Sequence, residues 1–321
     1  MTVEADAADI RPSGLPYGVL HNQSMSQAFR NVAIFGKPRA EGIREPLLAI
    51  ARVVEAAGAR VLFDLGTAEH VGLNGVEAHT VHSIGKMADV AVVLGGDGTM
   101  LGIARELAPF RVPLIGINHG RLGFMTDIAL DQMGEALPAM LGGRYETDRR
   151  GVLDAEVRRG GQVVYHAMAV NDVVVSRGVT GGMVEYTVRV DGVTMYNQRA
   201  DGVILATPTG STAYALSADG PILHPSLAGL LLVPVAPQTL SNRPIVLPDD
   251  VVVEIEITDV RDASAHFDMQ AYSSLVPGDI VRARRGQDLV TLLHPVGYNF
   301  FATLRQKLHW SVMPSESHSR G

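Results

Sequence analysis

Cysteine is absent from the chain, and that absence removes both a disulfide framework and any thiolate zinc site. It fits a reducing compartment, so a cytoplasmic location is expected. Lysine is scarce: Lys37, Lys86 and Lys307 are the only three. None of them closes a Gly-x-x-x-x-Gly-Lys-Ser/Thr string, which excludes a P-loop. The Gly-x-Ser-x-Gly elbow of hydrolases is missing as well. No Gly-x-Gly-x-x-Gly follows the first apolar strand, which reads Val32-Ala33-Ile34-Phe35-Gly36-Lys37-Pro38. Any nucleotide site must therefore be built another way. No run is long and apolar enough to span a bilayer, and no basic segment leads into an apolar one near the N-terminus, so no membrane partner is expected. Positive charge is in deficit, with 27 Lys and Arg against 34 Asp and Glu. A net charge of −7 argues against a nucleic-acid partner, because phosphate backbones call for clustered cations.

What remains is ample for two globular domains. The chain has 321 residues, of which 46% are hydrophobic and 19% charged, enough for full-sized cores. Residues 1–29 lack periodicity and read as a flexible tail. Residues 30–144 alternate strand and helix. Val32 to Phe35, Val61 to Phe63, Val90 to Leu94 and Val112 to Ile117 read as buried strands, and Pro46 to Ala57 as a helix with Leu47, Ile50, Val54 and Ala57 on one face. Apolar strands alternating with helices predict a Rossmann-like parallel sheet covered on both faces. Residues 145–295 are β-rich. Arg159-Gly160-Gly161 and Asp191-Gly192 are hairpin turns, and short strands at Val203 to Ala206, Gly229 to Val235, Val251 to Ile257 and Ile280 to Ala283 predict a β-sandwich. Residues 296–321 hold a helix, Phe300 to Leu308, expected to pack back on the first domain, then a polar tail from Ser315. The pairs Arg149-Arg150 and Arg284-Arg285 read as solvated charge.

The junction with the most chemistry is Gly95-Gly96-Asp97-Gly98-Thr99, which follows the strand Val90 to Leu94 directly. Beyond it Met100, Leu101, Ala104, Leu107 and Ala108 recur at helical spacing until Pro109. Glycines at a helix N-terminus leave backbone N–H groups open to a phosphate. One carboxylate in that turn is a poor phosphate ligand but a suitable partner for a hydroxyl about to receive a phosphoryl group. The plainer possibility is that Asp97 only caps the helix. The loop Asn118 to Phe124 leaves the carboxyl end of the next strand, where ligands of open α/β sheets bind.

Three polar clusters mark the β-rich half. Asn171-Asp172 interrupts two apolar stretches, either as a simple turn or as a pair able to read adenine and hold ribose hydroxyls. Arg199-Ala200-Asp201-Gly202 leads into a strand. Thr207-Pro208-Thr209-Gly210-Ser211-Thr212-Ala213-Tyr214 places five hydroxyl-bearing residues in eight positions and continues to Ser217. Such a loop is commonly only coil or a cap.

The order Gly-Gly-Asp-Gly-Thr, Asn-Asp, Arg-Ala-Asp-Gly, Thr-Pro-Thr-Gly-Ser-Thr-Ala-Tyr and Phe267-Asp268-Met269-Gln270 resembles that of NAD kinases, from about Val32 to Trp310. The hydroxyl-rich string and Gly220-Pro221-Ile222-Leu223 carry most of the resemblance, since Gly-Gly-Asp-Gly is shared with lipid kinases and phosphofructokinases. The resemblance implies an α/β domain followed by a β-sandwich. It also implies transfer of the γ-phosphoryl group of ATP, or of polyphosphate in some members, to the 2′-hydroxyl of the adenosine ribose of NAD. On that basis Asp97 is the expected general base. Gly95, Gly96, Gly98, Thr99 and Phe124 surround it. Asn171 faces adenine, Asp172 (where Glu is frequent) faces ribose, and Thr212, Ala213, Tyr214 and Ser217 line the adenine pocket. Arg199, Asp201, Ala236 and Gln270 are further contacts. Mg²⁺ accompanies the donor phosphates without a protein cage of its own, and the assembly is a homodimer or homotetramer with the site near a subunit interface. The alternatives are a lipid kinase, disfavoured by the hydroxyl-rich loop, and a catalytically silent NAD(H)-binding sensor, disfavoured by Asp97.

Overall fold

A computed structural model describes residues 18–20, 29–37, 40–120, 123–179, 182–239 and 241–310. The first half runs β1 (Gly18–Leu20), β2 (Asn31–Gly36), α1 (Arg44–Ala56), β3 (Arg60–Asp64), α2 (Leu65–His70) and β4 (Ala78–His79). It continues through α3 (Val81–Met87), β5 (Val90–Gly95), α4 (Asp97–Leu107), β6 (Leu114–Asn118), β7 (Ile128–Ala129) and α5 (Met133–Leu141). Strands β6-β5-β2-β3-β4 lie side by side, all parallel. Every residue of β5 is buried, which explains the unbroken apolar run, because helices cover both faces. One face packs Leu47, Ile50 and Val54 of α1. The other packs Met100, Leu101, Ala104 and Leu107 of α4.

After β2 the chain steps outward to β3 and β4, then returns to place β5 on the opposite side of β2. The reversal opens a crevice at the carboxyl ends of β2 and β5, the usual ligand position in open α/β sheets. Lys37 leaves one strand there and Gly96 the other, and the Lys37 N–H donates to the Leu94 carbonyl at 2.8 Å.

The second half comprises β8 (Tyr145–Arg159), β9 (Gln162–Ala169), β10 (Asp172–Arg177), β11 (Val184–Val190), β12 (Val193–Ala200), β13 (Gly202–Ala206) and α6 (Tyr214–Ser217). Then follow β14 (Gly229–Val235), β15 (Ile245–Pro248), β16 (Val253–Asp259), β17 (Ala263–Phe267), β18 (Ala271–Leu275), β19 (Ile280–Pro295) and α7 (Phe300–Leu308). The sheet β15-β14-β13-β10-β17-β18 faces the strands β8, β9, β11, β12, β16 and β19. Val173, Val175, Tyr186, Val188, Leu205, Ile255 and Phe267 fill the space between. This is the expected sandwich.

The two domains are nevertheless sewn together by one strand. β19 pairs antiparallel with β8 along its whole length and with β16 at its start, and parallel with β6 near its end, Leu292 opposite Leu114. Among the described residues a single thirteen-stranded sheet therefore crosses the domain boundary. Short apolar segments read locally gave Ile280 to Ala283 only, since a register shift between Arg285 and Leu289 interrupts the alternation. The helix α5 was not expected because Pro138 sits inside it. Three residues of the anticipated tail, Gly18–Leu20, form β1 against Thr147–Arg149. The rest of the tail, and the polar segment from Ser315, lie outside the described residues. The last helix touches both domains: the Phe300 ring meets His224 edge-on at 5.2 Å, and Lys307 Nζ sits 5.5 Å over the Phe124 ring.

One expectation fails outright. Arg150 is not solvated but 2% exposed. β8 alternates its side chains, so Arg150 and Asp148 point inward together where Arg149 points out. Arg150 Nε donates to Asp148 Oδ2 at 2.7 Å, and Nη1 donates to Thr209 Oγ1 at 3.2 Å. His294 of β19 joins them fully buried, 3.0 Å from Asp127 and 3.5 Å from Asp148, with the Tyr298 ring stacked on it at 3.8 Å. Burial works to lower the His294 pKa, but the carboxylates of Asp127 and Asp148 override it and hold the imidazole at about 9. Burial pushes Asp148 up, and Arg150 with His294 brings it down to about 2.

A raised histidine pKa stabilises the fold fully below the unfolded value near 6.5 and loses that contribution as pH rises through about 9. The span corresponds to a contribution on the order of 3 kcal/mol. Thermal melts from pH 6 to pH 10 are therefore expected to show Tm falling most steeply across this window. In His294→Gln the slope should flatten, and an equally steep fall in that variant would exclude His294 as its source.

Candidate active site

Gly96 caps α4 in extended conformation, and Asp97, Gly98 and Thr99 form the first helical turn. Gly95 ends β5, where an added Cβ would lie 2.7 Å from Thr99 Oγ1, so the side chain of Thr99 folds back over the strand end. Asp97 does not bond the helix backbone as a cap; α4 has no side-chain cap hydrogen bond. Its carboxylate instead crosses to the loop after β6. The Phe124 N–H donates to Oδ2 at 2.8 Å, the Met125 N–H to Oδ1 at 3.0 Å, and Thr126 Oγ1 to Oδ1 at 3.3 Å. A carboxylate offers about four lone-pair directions. Among the described residues three are taken by the loop, which leaves one direction for a ligand hydroxyl. The close approach depends on Gly123, where a Cβ would stand 2.0 Å from Asp97 Oδ1.

Gly96, Gly98, Thr99 and Gln270 line a cavity of about 760 Å³, together with Lys37, Asp64, Thr67, His70, Gly102 and Glu106. The cavity occupies the crevice between β2 and β5. Gln270 reaches it from the sandwich domain and donates from Nε2 to the Gly98 carbonyl at 2.7 Å.

Asn171 and Asp172 stand at the start of β10. Asp172 is 2% exposed, and its Oδ1 has no hydrogen-bond partner. Burial, and then the neighbouring Asp268 carboxylate, raise its pKa to about 7. A buried carboxyl with an unpartnered oxygen is costly in a finished fold, and it fits a group that gains a partner when a ligand binds.

The hydroxyl-rich loop packs directly on Asn171. The Thr207 N–H donates to the Asn171 carbonyl at 2.8 Å, and a Cβ on Gly210 would come within 2.1 Å of that oxygen. Most of its hydroxyls are committed to holding the loop. Thr207 donates to the Val170 carbonyl at 2.6 Å, Ser211 to the Pro208 carbonyl at 2.6 Å, and Thr212 to the Thr209 carbonyl at 3.1 Å. Thr209 receives the Arg150 bond described above. Ala213 lies between the short 3-10 turn and α6, and Ser217 ends α6, exposed. Tyr214, 38% exposed, lines a second cavity of about 530 Å³ with Asp201, His266 and Arg177. Asp201 also pairs with Arg177 at 2.8 Å. Arg199 and Ala236 line neither cavity. Arg199 is exposed and pairs with Glu185 at 3.4 Å, and Ala236 is exposed in left-handed backbone at φ 45°.

Met125, Thr126 and Gly123 were not anticipated. Two of the three act through backbone or through the lack of a side chain, so residue type carries little signal. Asp64 and Glu106 were also missed, as ordinary acidic residues of a helix start and a helix flank.

Gly-rich helix start, loop-anchored carboxylate and crevice together define a two-domain nucleotide phosphotransferase. Model descriptions for the ATP-NAD kinase N-terminal domain match residues 32–145, and those for the C-terminal domain match 170–294. The chain is 56% identical over 291 residues to an NAD kinase of Paraburkholderia phytofirmans, covering 91% of this chain and 97% of that one. It is 57% identical over 288 residues to an NAD kinase of Cupriavidus pinatubonensis, covering 90% and 94%. The fold is shared with a yeast NADH kinase solved with NADH, at TM-score 0.81 and 22% identity over 89% of each chain. It is shared also with an Archaeoglobus fulgidus NAD kinase solved with ATP, at TM-score 0.69 and 24% identity, covering 88% of this chain and all of that one. The chain belongs to the NAD kinase family and is an enzyme.

Gly123→Ala tests the anchoring of Asp97. A methyl group at that position must push the carboxylate aside, and a displacement of about 1 Å can cost about 10²-fold in rate. NADP formation from NAD and ATP is expected to drop on that scale while the circular dichroism spectrum stays the same. Wild-type kcat in a folded variant would show that the carboxylate tolerates displacement.

Proposed function

We propose that the enzyme transfers the γ-phosphoryl group of ATP to the 2′-hydroxyl of the adenosine ribose of NAD, with Asp97 as general base. The observation that carries this reading is the Asp97 carboxylate, fixed by the loop at 124–126 with one acceptor direction open, beside a Gly-lined crevice of nucleotide size. In a loose phosphoryl-transfer transition state the hydroxyl proton leaves late and positioning dominates. Asp97 orients the hydroxyl and takes its proton as the new P–O bond forms. The amides at Gly96 and Gly98, with Lys37 on the opposite wall, offset charge on the donor phosphates.

A divalent cation bound with ATP neutralises phosphate charge. Among the described residues no group of three or more metal-ligating side chains gathers, so the cation would be held mainly by the donor phosphates and water. Asn171 is assigned to adenine and Asp172 to ribose hydroxyls, with Thr212, Ala213, Tyr214 and Ser217 around the base. Arg199, Asp201 and Ala236 complete the dinucleotide contacts, and their place outside the cavity lined by Gly96, Gly98 and Thr99 supports a site assembled near a subunit interface of a homodimer or homotetramer. No helix among the described residues is long and apolar enough to cross a membrane; a cytoplasmic location is part of the proposal. Incubation with MgATP and either NAD or diacylglycerol separates this reading from a lipid kinase. NADP should form, and phosphorylated lipid alone would overturn it.

Asp97→Asn is expected to lower kcat by about 10²–10⁴-fold and leave the KM for NAD within a few-fold. Near-normal turnover of the pure variant would remove Asp97 from the chemistry.

Asn171 should discriminate the base. A hypoxanthine edge replaces the exocyclic donor of adenine with an acceptor, and a mismatched buried hydrogen bond costs roughly 1–3 kcal/mol. The hypoxanthine analogue of NAD is then expected to show kcat/KM about 5- to 150-fold below NAD. Asn171→Ala should erase most of that preference, and full discrimination in the variant would place base recognition elsewhere.

A further inference from the structure

The turn joining β17 to β18, which carries Gln270 to the cavity, touches both halves of the site. Asp268 and Met269 are both in left-handed backbone, at φ 53° and 54°, a conformation that side-chain-bearing residues adopt in succession only when surroundings enforce it. The enforcing contacts are those of the Asp268 side chain, which is wholly buried. It accepts three successive backbone N–H groups: Val170 at 2.9 Å, Asn171 at 2.7 Å and Asp172 at 3.2 Å. Its own N–H returns a bond to the Asp172 carbonyl at 3.0 Å. A carboxylate seated in a nest of consecutive amides fixes the path of those amides.

The same turn reaches the first domain. Arg105, on the α4 helix that Asp97 begins, lies 3.9 Å from Asp268 Oδ2 and donates to the Phe267 carbonyl at 3.5 Å. It also donates to Gln270 Oε1 at 3.3 Å, while Gln270 Nε2 donates to the Gly98 carbonyl. One four-residue turn thus spans from the residue after Asp97 to the Asn171-Asp172 pair.

We propose that Asp268 is a positioning residue for phosphoryl transfer: it shapes the Val170–Asp172 backbone that presents the acceptor ligands and, through Arg105 and Gln270, holds them in register with Asp97. The inference rests on the functional reading above. Asparagine cannot replace this aspartate, because two of the three amides bond one oxygen and the third bonds the other, and an amide nitrogen accepts nothing. The charge of Asp268 has a second effect. It opposes ionisation of Asp172, the group assigned to the ribose hydroxyls. The ionisable group that acts directly on Asp172 is Asp268 on the turn; Arg105 of α4 lies against Asp268, and along β17 the His266 imidazole is bonded to Ser264 Oγ at 2.7 Å. Across β13 the neighbouring polar group is the Thr207 hydroxyl, committed to Val170.

The test is steady-state kinetics of the full chain with NAD and MgATP from pH 5.5 to pH 8.5. In the wild type the KM for NAD should rise as pH falls below about 7, as Asp172 takes up its proton. Asp268→Asn should raise the KM for NAD about ten-fold or more at pH 8, leave the KM for ATP within a few-fold, and move that rise to lower pH. Arg105→Met keeps the amide nest and removes only the cation, so it remains informative should Asp268→Asn fold poorly. It should move the rise to higher pH. A turn that merely supported the fold would lower Tm without moving the limb in opposite directions. A wild type that makes no NADP would sink the functional reading and this inference with it. A wild type that turns over beside variants with unchanged KM and an unchanged limb would sink this inference alone.

Discussion

The three donors that the 124–126 segment directs at Asp97 are the contact on which the rest of the site depends. They tie the start of α4 to the loop after β6, so the carboxylate takes its orientation from a neighbouring strand and not from its own helix. That arrangement requires β5 and β6 to be adjacent and parallel, which their apolar runs arrange. It also requires a gap where the loop passes the carboxylate, and Gly123 is that gap. A helix cap would have been locally simpler, but a carboxylate bonded to its own first turn would face along the helix axis, into the space the phosphates need.

The strand β19 explains why two domains of different architecture keep one geometry. A linker would leave them free to shift, and inter-domain motion is the default where contacts are few. Here the last strand of the sandwich is also a strand of the parallel sheet. Its end carries His294 into a buried cluster with Asp127, three residues beyond Phe124, and with Asp148 and Arg150, which holds Thr209 of the hydroxyl-rich loop. The segment that orients Asp97 and the loop that packs on Asn171 are therefore fastened to one group of buried charges.

How much of this was legible in the sequence follows from where each interaction lives. The Gly95 to Thr99 turn was readable because strand, glycines and helix are contiguous. The sandwich was readable from Gly160-Gly161 and Asp191-Gly192, whose turn chemistry is equally local. Arg150 was misread because a pair of adjacent arginines looks alike whether the strand is exposed or buried, and only its partner across 59 residues, Thr209, together with Asp148, distinguishes the cases. Asp268 sat in a noticed string, but its bonds run to backbone amides 96 to 98 residues away, and amides carry no signature of residue type. Met125 was invisible for the same reason. The hydroxyl-rich loop was conspicuous for a reason other than ligand contact, since Thr207, Ser211 and Thr212 bond its own framework and its neighbours.

Charge burial follows a consistent logic across the two halves. Asp148, Arg150 and His294 are buried with opposite charges in direct contact, the condition under which buried ions are tolerated. Asp268 is buried on amides, with one arginine at the limit of ion-pair range. Asp172 is buried with neither, against a like charge, and keeps an oxygen without a partner. The compensation thus weakens step by step from the domain junction toward the acceptor site. Charged groups that hold the frame face opposite charge, and the group assigned to the substrate faces a like one. That gradient has a direct energetic meaning. A ribose hydroxyl donating to Asp172 Oδ1 would give that oxygen a partner, so part of the desolvation cost borne by the fold is returned on binding. A dinucleotide lacking that hydroxyl would return none of it.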